Sequence, residues 1–466
     1  MNKVIWILWG IVSLVLASYF GYTLLYSEDK STFIVGEASY GHYQIEMSCS
    51  TCHTDAFGGE EVLQNACTNC HAQELEEAHD SHPKKKFTDP RDAYRLETID
   101  ARYCVSCHVE HQKEQTHEMG LSLPEDYCFH CHTDIAKERE SHKDLAFDSC
   151  ASAGCHNYHD NRALYESFLI KHAEAPWLAD APHIMTANGA ARTVIKHVKA
   201  KLDIPEVIDQ FPEVADSWHQ QSHGQAGVSC SDCHSDKQTA WIESPGIEQC
   251  QSCHAFETKG YMAGRHGMRL SDALANDLSA LTVKDSSLDF KGTSMNAQHG
   301  CSSCHSSHSF DTKVAAVDAC LSCHNDEHSN NFLTSPHGIL WQQAQNGALA
   351  EEQAVSCATC HMPRTVPEKT GTELVSNITS VKSKDSGVKA LAATHQKQAP
   401  LIRVEHNQNM NLRPNEKMIR PVCMQCHSLS FSIDALADEM LIKNNFNGKP
   451  TDHIPSIDWA MKREQR

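Results

Sequence analysis

The pentapeptide Cys-x-x-Cys-His constrains this chain more than any other feature. It stands first at Cys49-Ser-Thr-Cys52-His53. It returns at Cys67, Cys70 and His71; at Cys104, Cys107 and His108; at Cys128, Cys131 and His132; and at Cys230, Cys233 and His234. Further copies end on His254 (after Cys250 and Cys253), His305 (Cys301, Cys304), His324 (Cys320, Cys323), His361 (Cys357, Cys360) and His427 (Cys423, Cys426). One wider copy reads Cys150-Ala-Ser-Ala-Gly-Cys155-His156. These eleven copies use all 22 cysteines, and no thiol is left over.

A disulfide framework would not place a histidine after every second cysteine. A zinc ribbon also pairs its cysteines two apart, but needs no histidine after each pair. The pattern is the attachment signature of c-type haem, in which two thiols form thioethers to one macrocycle and the adjoining histidine reaches the iron. The expected cofactor is therefore eleven covalently bound haem c groups, with the closing histidine of each copy as proximal ligand.

Composition fits that expectation. Hydrophobic residues make up 40% of the 466-residue chain and aromatics 7%, where globular proteins carry about 45–50% apolar residues. Stacked macrocycles would supply the missing apolar bulk, and their attachment would be part of the folding free energy. There are 32 histidines; after eleven proximal ligands, 21 remain, more than enough to close every sixth coordination site. The expected distal ligands lie near or between the motifs: His82, His142, His223, His299, His308, His337 and His406. A net charge of −20 argues against nucleic acid as a partner and suits docking with basic redox proteins.

Residues 4–26 form an uncharged apolar run of 23, preceded by Lys3. That length spans a bilayer, and the lysine places the N-terminus on the cytoplasmic side. The expectation is an anchor at 1–26 in the inner membrane that holds the rest of the chain in the periplasm. A cleaved signal peptide, cut after Ala17, is the alternative. Residues 27–48 read as a linker, 49–165 as a five-haem domain, and 166–466 as a six-haem domain. Strand patterns are scarce. Helical spacing recurs at 191–202 and 431–446, so the expected class is mainly α with much irregular haem-wrapping chain.

The dense motifs and the wide copy make residues 49–165 resemble the class III (c3/c7) cytochromes. In the second half, Cys301-Ser-Ser-Cys-His-Ser-Ser-His308 is followed by Cys320-Leu-Ser-Cys-His324-Asn-Asp-Glu-His328, Ser335-Pro-His337-Gly338 and Cys357-Ala-Thr-Cys-His-Met-Pro363. This order resembles the octahaem hydroxylamine oxidoreductases and the related pentahaem nitrite reductases. The resemblance implies an active haem at Cys250 and Cys253, with His328 as proton donor and Glu327 beside it. It also departs from those families: no tyrosine follows Tyr261, and the supposed active haem has His254 where the nitrite reductases use lysine.

The leading expectation is electron transfer along a haem chain in anaerobic respiration, with the inner membrane, redox proteins or the quinol pool as partners. The rival is a reductase of nitrite or hydroxylamine, whose substrate would be that small nitrogen compound. A polymeric haem filament is the third class, and the anchor argues against it, since a free end is needed to propagate head to tail.

Overall fold

The computed structural model describes residues 2–112 apart from 28, 40, 56–57, 79–84 and 98, then 127–143, 158–159, 209, 211–271 apart from 236–239, and 274. It continues through 290–292, 299–365 apart from 307, 403–408, 418–419 and 422–454 apart from 452. The wide copy at Cys150, Cys155 and His156, the ligand candidate His82 and the helix expected at 191–202 lie outside the described residues.

The described chain is mostly helical, in short pieces joined by irregular segments. Helix α1, Asn2–Leu25, is the longest. Within it Lys3–Leu25 has a mean hydropathy of 2.0 and is long and apolar enough to cross a bilayer. Its apolar side chains point outward, with Val4 62% and Trp6 67% exposed.

The attachment motifs fold alike because their spacing is that of one helical turn. Cysteines three residues apart share a helix face. In seven copies the histidine N–H (His53, His108, His132, His254, His305, His324, His427) donates to the carbonyl of the first cysteine at 2.8–3.0 Å. In the second copy the same residues sit inside helix α2, Glu60–Glu77. Capping starts some of these turns: Ser356 accepts from Thr359 N–H at 3.1 Å, and Ser229 and Asp232 form a capping box ahead of Cys233.

The chain divides into two compact units. The first comprises Met1–Ala151, His156–Arg162 and Arg269–Leu288; the second comprises Ser152–Cys155, Ala163–Met268 and Asp289–Arg466. The division near 162 lies close to the expected boundary at 165, but Arg269–Leu288 groups with the first unit. Residues 27–48 are not a bare tether: Gln44 and Ser39 are buried, and the Gly36 carbonyl accepts from His111 Nδ1 at 2.9 Å.

In the second unit, helices α3 (Pro212–Trp218), α4 (Ala255–Ala263), α5 (Glu327–Asn331) and α6 (Pro336–Gln345) carry or adjoin candidate ligands. The helix expected over 431–446 is two helices, α7 (Leu429–Ala437) and α8 (Glu439–Lys443). Asp438 breaks it by turning extended (φ −91°, ψ 96°) and capping α8, its carboxylate accepting from Leu441 N–H at 2.9 Å. Ile433 and Leu429 of α7 are fully buried. Strands β1 (Arg364–Thr365) and β2 (Arg403–Val404) pair antiparallel, with Arg364 opposite Val404.

Candidate haem sites

An iron held between two imidazoles, with metal–nitrogen bonds of about 2.0 Å, puts the ring centroids about 6 Å apart. The structure sets motif histidines opposite second histidines at that spacing. In the first unit His71 faces His42 at 5.9 Å, and His108 faces His159 at 6.3 Å. In the second, His234 faces His308 and His254 faces His223, each at 5.8 Å. His305 faces His406 at 6.4 Å, while His324 faces His266, His361 faces His328 and His427 faces His337, each at 6.2 Å.

The chemistry of these rings suits iron. Burial lowers the pKa of His223, His305, His308, His324, His337 and His427. Burial, with His299 and His324 alongside, takes His266 down to about 4. Neutral imidazole is the form that binds metal. Several rings also have Nδ1 occupied, which leaves Nε2 to coordinate. His234 donates to the Ile242 carbonyl at 2.8 Å and His406 to Val404 at 3.0 Å. His328 donates to Ile442 at 2.5 Å, and its Nε2 lies 3.3 Å from the Asn445 Nδ2.

Of the expected distal ligands, His223, His308, His337 and His406 stand opposite proximal histidines. His299 lies 5.6 Å from His266, and His142 has Nδ1 2.9 Å from Ser141 Oγ. His328 stands opposite His361, and the ring opposite His254 is that of His223. Glu327 is exposed on the first turn of α5, and the Nδ1 partner of His328 is the Ile442 carbonyl.

Neither His42 nor His266 is among the ligands expected from the sequence. For His266 a signal existed. Trp218-x4-His223-Gly224, Tyr261-x4-His266-Gly267 and Phe332-x4-His337-Gly338 repeat one pattern. In each, the aromatic residue is buried and its carbonyl accepts from the residue three later: Gln221 at 3.0 Å, Gly264 at 3.0 Å and Ser335 at 3.0 Å. The chain then folds back until the glycine lies against the same carbonyl. A Cβ there would come within 2.1 Å (Gly224), 2.4 Å (Gly267) or 1.9 Å (Gly338) of that oxygen, so only glycine fits. The histidine just before the glycine is thereby aimed at a motif histidine.

Aromatic packing braces the ring of His223. Trp218 stacks on His223 at 6.2 Å, Phe310 meets His223 edge-on at 4.6 Å, and the Trp218 Nε1 donates to Val228 O at 2.9 Å. His308 and Phe310 take positive φ, 66° and 46°, which costs a non-glycine residue about 1–3 kcal/mol and clusters at functional sites.

Neighbouring motifs also meet through their cysteines. Cys67 hydrogen-bonds Cys104, Cys250 bonds Cys301, and Cys320 bonds Cys357. Cys52 lies within electrostatic reach of Cys70, Cys107 of Cys128, Cys233 of Cys250, Cys304 of Cys320 and Cys360 of Cys423. Within each unit, therefore, every described motif adjoins the next in sequence order.

Residues 41–133 match the family model of cytochrome c3, a match that begins inside the expected linker and takes in His42. The cytochrome c nitrite reductase subunit NrfA of Nitratidesulfovibrio vulgaris is 32% identical over 74 residues, covering 13% of this chain and 14% of that protein. The chain is a multihaem c-type cytochrome, c3-like over residues 41–133 and similar over a short stretch to a cytochrome c nitrite reductase subunit.

Proposed function

We propose that this is a membrane-anchored, periplasmic, eleven-haem cytochrome that relays electrons in respiration through bis-histidine sites. Bound haem supplies a one-electron iron couple. The protein's residues fix the order of the sites, close both faces of each iron and hold the rings still. The observation that carries the reading is the contact of each motif with its successor inside each unit. Helix α1 suits an anchor beside the quinol pool, and the acidic surface suits basic redox proteins.

The intact mass of the secreted protein is expected to exceed the polypeptide by eleven haems. A shortfall of one, with free thiols at Cys150 and Cys155, would show the wide copy empty. Cell fractionation is expected to leave the protein in the inner membrane, and replacing residues 1–26 with a cleavable signal should release it, still red, into the periplasm. Native protein beginning at Ser18 would overturn the anchor.

The similarity to the nitrite reductase subunit favours a second reading, a reductase of nitrite or hydroxylamine with an open iron at Cys250 and Cys253. His223 opposite His254 weighs against it, as does His328 opposite His361, a place suited to a sixth ligand rather than a proton donor.

A further inference from the structure

The His42–His71 pair differs from the carbonyl-backed sites in what holds its rings. His42 Nδ1 lies 2.6 Å from Glu110 Oε1, and His71 Nδ1 lies 2.8 Å from Glu74 Oε2. Glu74 sits three residues after His71 on α2, so the helix itself presents it. Glu110 is fixed from the other side: Ser39 N–H donates to Oε2 at 2.8 Å and Ser39 Oγ to Oε1 at 2.9 Å. In contrast, His234, His328 and His406 each donate to a neutral main-chain carbonyl.

A carboxylate that accepts an axial imidazole's Nδ1 proton makes the ligand more basic and orients it. A more basic ligand stabilises ferric over ferrous iron. Two fixed negative charges beside the site act in the same direction, since reduction adds an electron. Ligand hydrogen bonding and local charge are among the ways a protein sets a haem potential.

We infer that Glu110 and Glu74 make the His42–His71 site, held by Cys67 and Cys70, lower in potential than the carbonyl-backed sites of His234, His361 and His305. This rests on the bis-histidine reading above. One electron from a neighbouring ferrous site reduces Fe(III) to Fe(II) there, and no bond to iron is made or broken. A site of lower potential gives up its electron more readily once reduced than the carbonyl-backed sites do.

The test is a mediated spectroelectrochemical titration of the full eleven-haem protein beside its Glu110→Gln, Glu74→Gln and double variants. Glutamine keeps a carbonyl oxygen for the Nδ1 proton and removes only the charge. The expected result is unchanged haem content, a fully low-spin resonance spectrum, and one haem's worth of amplitude moving from the low end of the titration to higher potential, most in the double variant. A low-potential end that stays in place in a low-spin double variant overturns the inference. Should Glu110→Gln lose haem, Glu74→Gln, on a preformed helix, decides alone by the same criterion. A His42→Ala variant separates the two layers of argument: it should show one high-spin haem, and a wholly low-spin spectrum would overturn the pairing of His42 with His71.

Discussion

Replacing His223 with alanine is expected to convert one haem from low to high spin and to create a binding site for cyanide, nitrite or hydroxylamine that the parent protein lacks. The expectation follows from placement. His223 stands opposite His254 at 5.8 Å, stacked on Trp218 and met edge-on by Phe310. Its removal leaves one iron with a single protein ligand and an apolar-walled space above it. Haem content should not change, because attachment depends on Cys250 and Cys253. Electron paramagnetic resonance of the oxidised protein should show a new high-spin signal equal to one haem. The measurement also decides between the relay and the reductase. A relay has every iron closed in the parent, and an open one only after substitution. A high-spin haem already present in the parent, together with nitrite binding, would place the enzyme reading ahead. In that case His328→Ala should cost about 10²–10⁴-fold in turnover, the usual contribution of a general acid.

The two halves of each site were unequally legible in the sequence. The attachment half leaves a contiguous signature, since thioether formation and proximal ligation require three residues within one helical turn. The distal half was legible only in part, because a sixth ligand comes from wherever the chain can bring a ring within reach of iron. His308 falls close to a motif, and His337 belongs to the Ser335-Pro-His337-Gly338 stretch on which the family resemblance rests. His42 was passed over because 27–48 looks like a linker, and only the contacts of Ser39 and His42 with Glu110 show that it belongs to the folded unit. His266 lies between motifs without a cysteine near it, whereas His299 stands two residues before Cys301. The division of the last amphipathic stretch into α7 and α8 was hidden for a similar reason. Apolar periodicity runs through Asp438, and its capping of Leu441 and its bond to Thr451 come from the folded chain.

The glycine after each of three distal histidines should be nearly intolerant of a methyl group. In Gly338→Ala the new Cβ would stand 1.9 Å from the Phe332 carbonyl oxygen and 2.7 Å from its carbon. Both are backbone atoms, so a rotamer change cannot relieve the clash. The Phe332 oxygen also accepts from the Ser335 N–H and from Ser335 Oγ at 2.7 Å. Ser335 in turn caps α6, receiving the Gly338 N–H at 3.1 Å. Pushing Gly338 away therefore loosens the start of α6 and withdraws His337 from His427. Overpacking of this kind costs about 2–3 kcal/mol, which corresponds to a fall of about 3–5 °C in the thermal midpoint of a unit this size. A high-spin signal from the His427 site should accompany it. Gly224→Ala and Gly267→Ala should behave alike, the signal then arising from the His254 and His324 sites. Gly300→Ala is the control: it too follows a histidine, but a Cβ there meets no atom within 4 Å, and both midpoint and spectrum should stay at the parent values. Equal, small effects at all four glycines would mean that the aromatic-x4-His-Gly turn does not position its histidine. A large effect confined to the three, with the high-spin signal at the matching site, is the result that the shared turn geometry requires.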